Sequence, residues 1–289
     1  MVKSGHQVTM LDIDTDRVQR IKEEGLRVEG ISGEGTVPVE IVLSPGEVGK
    51  PELVILCVKS YDTEEAIQSV APFLKVGTIV LTVQNGLGNV EKIARVVGRD
   101  KTLGGITAQG ATDLGLGKIR HAGKGETIIG SLTDTSPKMA KEIAYVFTKA
   151  GIETKVTDDL EGTIWSKLVI NSVINPLTAI LNVKNGELLD YHEIRELMGS
   201  IVEEAVKVVR AKRVTLQWGD PLAQAERVCK ATAENYSSML QDILNHKKTE
   251  IDFINGAIAR EGEALGIPTP VNATLTWLVK AIEAFNMKK

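Results

Sequence analysis

The chain has 289 residues, of which 43% are hydrophobic and 25% are charged, so it is long enough for about two domains with apolar cores. Its Lys+Arg count of 34 against an Asp+Glu count of 38 gives a net charge of −4, which argues against a nucleic-acid partner. Its two cysteines exclude a disulfide framework and a four-cysteine zinc site. We expect neither a signal peptide nor a membrane-spanning segment, and hence a cytoplasmic protein.

The first half of the chain alternates β-branched runs with helical patterns. Residues 8–11 predict a strand, and Asp14 then caps a helix that ends at Gly25. Four further strands are predicted, at residues 26–31, 37–43, 53–58 and 78–83. A helical pattern follows each of the last two strands. Repeated strand–helix units favour a doubly wound parallel sheet, so we predict an α/β, Rossmann-like dinucleotide-binding domain over residues 1–157.

The second half of the chain has a helical pattern throughout. Residues 158–181 are almost wholly apolar, and apolar residues recur at helical spacing from Ile194 to Val209. We therefore predict an all-helical domain over residues 158–289, with a ligand site in a cleft between the two domains. The helix from Ile194 to Val209 packs either inside its domain or across a homodimer, and the sequence leaves both arrangements open.

The sequence lacks the glycine-rich turn of a dinucleotide-binding domain. Such a domain opens with a strand, a G-x-G-x-x-G turn and a helix, whereas this chain begins with residues typical of the end of that helix. We expect that about twenty upstream residues are missing, through truncation or a misplaced start codon. Because the first strand is central in such sheets, its loss would leave an unpaired edge, and a chain without the glycine-rich turn would bind a dinucleotide poorly.

Three polar residues form a stripe on the apolar helix of the second half. Lys167, Asn171 and Asn175 are spaced at i, i+4 and i+8, which places them on one helix face. A charged amine and two amides on a mostly buried helix are costly unless they have partners. Either they form a functional site, or Lys167 reaches solvent and the asparagines bond to neighbouring backbone.

Two further groups of polar residues occur later in the chain. Asn235 and Ser238 are three residues apart, which predicts a shared helix face. Thr249 and Asp252 fit a capping box, which would place Glu250 in the first turn of a helix. An acid in that position is stabilised by the helix dipole, so Glu250 has a structural explanation as well as a functional one.

Polar residues also follow the predicted strands of the first half. Lys59 and Asn85 each end a strand, and ligands bind at the carboxyl ends of parallel strands. Asp12 closes the strand 8–11, where an acid accepts the ribose hydroxyls of NAD. The four histidines are scattered, so no metal site is predicted.

Seven runs of residues carry a family resemblance. They are 56–59 (LCVK), 84–88 (QNGLG), 121–127 (HAGKGET), 165–168 (WSKL), 171–179 (NSVINPLTA), 235–242 (NYSSMLQD) and 249–256 (TEIDFING). In this order they closely resemble the ketopantoate reductase family, also called 2-dehydropantoate 2-reductases, over essentially the whole chain.

The resemblance implies NADPH-dependent reduction of 2-dehydropantoate to pantoate, a step towards pantothenate and coenzyme A. It implies that Lys167 is the general acid and that Glu250 works with it. The residues implied to bind the substrate, a small 2-oxo acid, are Asn171, Asn175, Asn235 and Ser238. Those implied on the cofactor side are Lys59 and Asn85.

Asp12 departs from a pattern common in this family, in which an arginine after the second strand suits the 2′-phosphate of NADP. A carboxylate in this place repels that phosphate and favours NADH, or mixed use if Arg17 reaches round to it. Two other functions stay open: a related reductase of another 2-oxo acid, and a catalytically silent, ligand-sensing dimer that has lost cofactor binding.

Overall fold

The computed structural model describes residues 1–133 and 137–286 and divides the chain into two compact units. The first unit comprises Met1–Val58, Asp62–Gln84 and Val90–Leu160. The second comprises Glu161–Lys289 together with two short segments, Lys59–Tyr61 and Asn85–Asn89. Residues 134–136 and 287–289 of the two predicted domains lie outside the described residues.

The first unit has strands interspersed with helices. Its strands are β1 (Thr9–Leu11), β2 (Leu26–Gly30), β3 (Gly35–Val37), β4 (Glu40–Val42), β5 (Leu53–Leu56), β6 (Ile79–Thr82), β7 (Thr102–Thr107), β8 (Gly110–Asp113), β9 (Lys118–Gly123), β10 (Thr127–Ser131) and β11 (Thr154–Val156). Its helices are α1 (Thr15–Glu24), α2 (Thr63–Val70), α3 (Asn89–Val97) and α4 (Pro137–Lys149). The predicted cap of α1 is confirmed, since Asp14 accepts hydrogen bonds from the backbone N–H groups of Asp16 and Arg17.

The strands of this unit form three sheets. The largest has the order β11-β10-β7-β6-β5 and is parallel except for the antiparallel pair β10 and β7. A second sheet has the order β3-β2-β9-β8, and β1 pairs in parallel with β4 in a third. The predicted α/β fold with a largely parallel sheet is therefore confirmed, whereas its division into three sheets was not predicted.

One edge of β5 has no strand partner among the described residues, because β5 pairs only with β6. Ile55, in the middle of β5, is 39% exposed, although its apolar run is typical of a strand covered on both faces. This open edge agrees with the expected unpaired edge.

The secondary-structure elements of the second unit's described residues are all helices, and this part of the predicted fold is confirmed. Its helices are α5 (Leu160–Leu181), α6 (His192–Ala211), α7 (Pro221–Ala231), α8 (Ser238–Leu244), α9 (Asn255–Ala264) and α10 (Pro270–Asn286). A 3₁₀ helix, Ile251–Phe253, lies between α8 and α9. Met198, Ile201 and Val208 of α6 are buried in the core of this unit, whereas Ile194, Leu197 and Val206 are partly buried against it.

Helix α5 is the central apolar element of this core. It is 22 residues long and apolar enough to cross a membrane by length and composition, but 72% of its most apolar stretch is buried inside the protein. Trp165, Leu168 and Val173 are each at most 2% exposed. We therefore assign α5 as a core helix.

Candidate active site

Lys167 is a polar residue within the apolar helix α5. Its neighbours Leu168 and Val169 are fully enclosed, whereas Lys167 itself is half-buried. Burial lowers the pKa of Lys167 from 10.5 to about 8, and the negative charge of Glu250 opposes this shift. An amine that titrates close to neutral pH is suited to proton transfer.

Glu250 belongs to the same unit and is 6% exposed. Its Oε1 accepts hydrogen bonds from the Ser60 backbone N–H at 3.0 Å and from the Ser60 hydroxyl at 2.7 Å. The side-chain amide of Asn85 lies 3.5 Å from Oε2. A buried carboxylate needs such donors, so these contacts fix Glu250 within the electrostatic reach of Lys167.

Ser60 is itself held by a small polar network. Its hydroxyl oxygen lies 2.7 Å from the Asn85 carbonyl as well as from Glu250, so its one proton serves one of these acceptors at a time. The Asn89 side-chain amide donates to the Ser60 hydroxyl at 3.0 Å and to the Asn85 carbonyl at 2.9 Å. The segments 59–61 and 85–89 thus support Glu250 together.

The turn at Gly86 packs directly on the 3₁₀ helix that follows Glu250. The Leu87 N–H donates to the Phe253 carbonyl at 2.9 Å. Gly86 has a φ of +85°, and a Cβ there would lie 2.6 Å from that carbonyl oxygen. Only glycine can adopt this positive φ and also approach the Phe253 carbonyl so closely without strain. This explains why glycine follows Asn85.

Lys59 forms an ion pair with Asp242 of α8. The Lys59 amine lies 2.5 Å from Oδ2 of Asp242, and the side chain of Asp242 is 10% exposed. Burial raises the pKa of Asp242, and Glu250 acts in the same direction, whereas Lys59 opposes the shift. Lys59, predicted on the cofactor side, thus has a carboxylate partner within the second unit.

Pro176 explains a contact between α5 and the start of α9. Proline has no N–H, so the carbonyl four residues earlier, that of Ser172, lacks its helical donor. The buried side-chain amide of Asn255 supplies the missing hydrogen bond at 2.8 Å. This bond ties the stretch of α5 that carries Asn171 and Asn175 to the segment that follows Glu250.

The predicted substrate residues occupy different environments in the second unit. Asn171 is half-buried, and Asn175 is 5% exposed on the same face of α5. The prediction that Asn235 shares a helix face with Ser238 is wrong. Asn235 lies in the loop before α8, where its carbonyl accepts from the Asn185 N–H at 3.0 Å, while Ser238 is the exposed first residue of α8.

The predicted capping box at Thr249 is also wrong. The Thr249 hydroxyl accepts from the N–H of Ile251, two residues on, at 3.2 Å. Glu250 precedes the 3₁₀ helix rather than lying inside an α-helix. Its side chain bonds to Ser60 instead of the local backbone, so a long-range contact replaces the local motif.

Asp12 follows β1 in the first unit and has two partners. Its carboxylate accepts from the Asp14 N–H at 3.0 Å and from Arg17 at 2.8 Å. Arg17 also lies 3.6 Å from Asp14 and 3.9 Å from Asp113. Burial acts to lower the pKa of Arg17, but the hydrogen bond and charge of Asp12 raise it overall. Arg17 is therefore surrounded by carboxylates.

Two family models match the chain in sequence. The model described as Ketopantoate reductase PanE/ApbA matches residues 1–134, and the one described as Ketopantoate reductase PanE/ApbA C terminal matches residues 159–283. The chain belongs to the ketopantoate reductase family. As predicted from the seven runs, it is an NAD(P)H-dependent oxidoreductase.

Curated relatives and solved structures align over nearly the whole chain. The 2-dehydropantoate 2-reductase of Pyrococcus abyssi is 37% identical and covers 100% of this chain and 94% of its own length. The ternary structure of D-mandelate dehydrogenase with NADH and anilino(oxo)acetate has a TM-score of 0.94 at 32% identity, covering 99% of this chain and 94% of its own. The ketopantoate reductase of Ralstonia eutropha JMP134 has a TM-score of 0.88 at 33% identity, covering 99% and 93%.

The described residues fit the adenosine end of a nicotinamide cofactor. Each carboxylate oxygen of Asp12 accepts one hydrogen bond within the chain, and each has a further lone pair for a ribose hydroxyl. The 289 residues contain no G-x-G-x-x-G, so we assign no pyrophosphate-binding turn to this chain.

Sequence reasoning missed two members of the site, Ser60 and Asp242. Ser60 follows Lys59 directly, so the signal was a second polar residue after the end of a strand. Asp242 closes the run 235–242 that carries part of the resemblance. In each case the type and position of the residue were visible, but its partner was not.

Proposed function

We propose that this protein reduces 2-dehydropantoate to pantoate with a nicotinamide cofactor. In this proposal, residues 1–157 bind the cofactor and residues 158–289 bind the substrate. The observation that carries the proposal is the half-buried amine of Lys167, whose pKa is about 8, under the electrostatic influence of buried Glu250. The curated relatives support the substrate, since three that are 36–37% identical are named 2-dehydropantoate 2-reductase.

Lys167 is the proton donor in this proposal. The cofactor supplies the hydride, and negative charge then develops on the oxygen of the substrate ketone. With a pKa of about 8, the amine is about ten parts ammonium to one part free base at pH 7. The ammonium stabilises the developing oxyanion and gives it a proton.

Glu250 keeps this ammonium available. Its charge raises the pKa of Lys167 against the effect of burial, and the two bonds from Ser60 hold it in that position. Without the carboxylate, the pKa of Lys167 would be lower and less of the amine would be protonated, and a neutral amine is a poor acid.

The neutral polar residues of the same unit orient the substrate. Amides and hydroxyls donate hydrogen bonds to a carboxylate and accept them from a hydroxyl, and a 2-oxo acid with a hydroxyl presents both groups. We assign this role to Asn171, Asn175, Asn235 and Ser238. Lys59 and Asn85 complete the site at the carboxyl ends of β5 and β6, where the cofactor is expected.

The test is turnover of 2-dehydropantoate, measured by loss of absorbance of the reduced cofactor, with NADPH and with NADH in parallel. The protein is expressed together with any upstream residues that genomic DNA encodes in frame. Turnover that depends on Lys167 supports the proposal. Absence of turnover with both cofactors rejects it and favours the silent, ligand-sensing alternative.

A second candidate is reduction of a 2-oxo acid with a larger substituent, using NADH. It is favoured by the likeness to D-mandelate dehydrogenase bound to NADH and anilino(oxo)acetate, and by the Asp12 carboxylate beside Arg17. A panel of 2-oxo acids that includes benzoylformate separates the two candidates by kcat/KM. A homodimer and a cytoplasmic location stay predictions; sedimentation equilibrium tests the first of them.

A further inference from the structure

The last turns of α10 contact the segment that carries Glu250. Glu283 is 8% exposed, and its Oε1 accepts a hydrogen bond from the Thr249 backbone N–H at 2.7 Å. Thr249 immediately precedes Glu250 and is itself buried. A hydrogen bond from an amide to a carboxylate is stronger than one between neutral groups. Glu283 therefore fixes the backbone to which the Glu250 side chain is attached.

Two neighbouring residues on the same face of α10 make further bonds to this region. Asn286 donates to the Ile243 carbonyl of α8 at 3.0 Å, and Lys280 lies 3.0 Å from Asp252 in the 3₁₀ helix. Positions 280, 283 and 286 are three residues apart, so they share one helix face. The pair of Lys280 and Asp252 is partly exposed and contributes little. The buried bond of Glu283 is the main anchor.

The chain between α8 and Thr249 makes backbone hydrogen bonds back to α8, such as that from the Lys247 N–H to the Asp242 carbonyl at 2.8 Å. Residues 245–248 are exposed, and exposed connections are the more mobile parts of a fold. Within them, the Tyr61 hydroxyl donates to the Lys248 carbonyl at 3.2 Å. The buried hydrogen bond that lies nearest to Glu250 on this side of the chain is the one from the Thr249 N–H to Glu283.

We propose that Glu283 is a positioning residue that holds Glu250 where it keeps the amine of Lys167 protonated. This inference rests on the proposed function, in which the two residues form the proton-donating pair. Asp242 on α8 is a further charged group near Glu250, and Lys59 and Lys247 both act on the charge of Asp242. Glu283 acts through the Thr249 backbone, so replacing it should change the pair without removing any of its members.

The experiment compares Glu283→Ala, Glu283→Asp and Glu283→Gln in the full chain. Glu263→Ala, which removes an exposed glutamate of α9, is the matched control. Competitive labelling with acetic anhydride across pH, read by peptide mass spectrometry, gives the pKa of Lys167 without substrate or cofactor. In parallel, kcat and KM are measured with 2-dehydropantoate.

We expect Glu283→Ala to lower the pKa of Lys167 below about 8, since Glu250 moves away from the amine. It should lower kcat about tenfold or more, with a smaller change in KM. Glu283→Gln keeps an acceptor oxygen for the Thr249 N–H and should stay within about threefold of the parent chain, as should the control. Glu283→Asp, with a shorter reach, should fall between.

The inference is overturned if Glu283→Ala leaves both the Lys167 pKa and kcat unchanged, or if Glu283→Gln is as damaging as Glu283→Ala. If Glu283→Ala does not fold, Glu283→Asp decides by the same two readouts. The labelling needs no turnover, so it still tests Glu283 if the chain does not reduce 2-dehydropantoate. Failure of the proposed function is thereby distinguished from failure of this inference.

Discussion

Replacing Lys167 by methionine separates the two consequences of burying an amine, its effect on catalysis and its effect on stability. The change removes the charge and keeps a flexible chain of similar length. A pKa that falls from 10.5 to about 8 means that the folded state disfavours the ammonium by about 3 kcal/mol. The parent chain has this penalty in full below pH 8, because both the folded and unfolded states are then protonated.

Between pH 8 and 10.5 the folded state releases its proton first, so the penalty shrinks as the pH rises. We therefore expect Lys167→Met to be more stable than the parent chain at pH 7, by about 1–3 kcal/mol, and by less at pH 10. Its kcat at pH 7 should fall by about 10²–10⁴. Differential scanning calorimetry at the two pH values and steady-state kinetics measure both effects.

The control is Lys207→Met, which removes an exposed lysine of α6 that forms an ion pair with Glu203 at 2.8 Å. It should change neither Tm nor kcat appreciably. A loss of kcat smaller than about tenfold in Lys167→Met would show that another group donates the proton. A lower Tm at pH 7 would show that the charged amine stabilises the fold, contrary to the burial argument.

Three further outcomes are expected. Glu250→Gln removes the charge that raises the pKa of Lys167, so the alkaline limb of the kcat profile should move from about 8 to lower pH; an unmoved limb contradicts the pairing. Ser60→Ala removes the hydroxyl 2.7 Å from Glu250 and should cost about 1.5–3 kcal/mol in urea unfolding, whereas a cost near zero would mean that the backbone N–H suffices. Asp12→Ser removes the main carboxylate partner of Arg17, so the ratio of kcat/KM with NADPH to kcat/KM with NADH should rise about tenfold. An unchanged ratio would show that Asp12 does not determine which cofactor is preferred.

Helical periodicity was sufficient to predict the polar stripe on α5. Lys167, Asn171 and Asn175 lie on one helix at fixed spacing, so their common face follows from 3.6 residues per turn. The parallel strands were equally predictable, because short apolar runs such as that of β5 alternate with capped helices. These features depend on residues close together in the chain.

The partner of Glu250 was not predictable in this way. Ser60 is 190 residues distant in sequence, and no local pattern specifies which side chain meets a carboxylate across a fold. Long-range bonds also explain why the capping-box prediction was wrong. Glu250 accepts hydrogen bonds from Ser60, and the Thr249 N–H donates to Glu283. Tertiary contacts override local propensity where buried polar groups must be satisfied.

The grouping of residues 59–61 and 85–89 with the helical unit limits how the protein can be dissected. A fragment that begins at residue 161 would contain Lys167 and Glu250 but would lose Ser60 and Asn85, and with them the donors to the Glu250 carboxylate. A chimera made from two relatives by a single crossover before the helical half would have a similar defect. Its Glu250 would come from one relative, and its segments 59–61 and 85–89 would come from the other. A functional chimera must therefore inherit both short loops together with the helices they support.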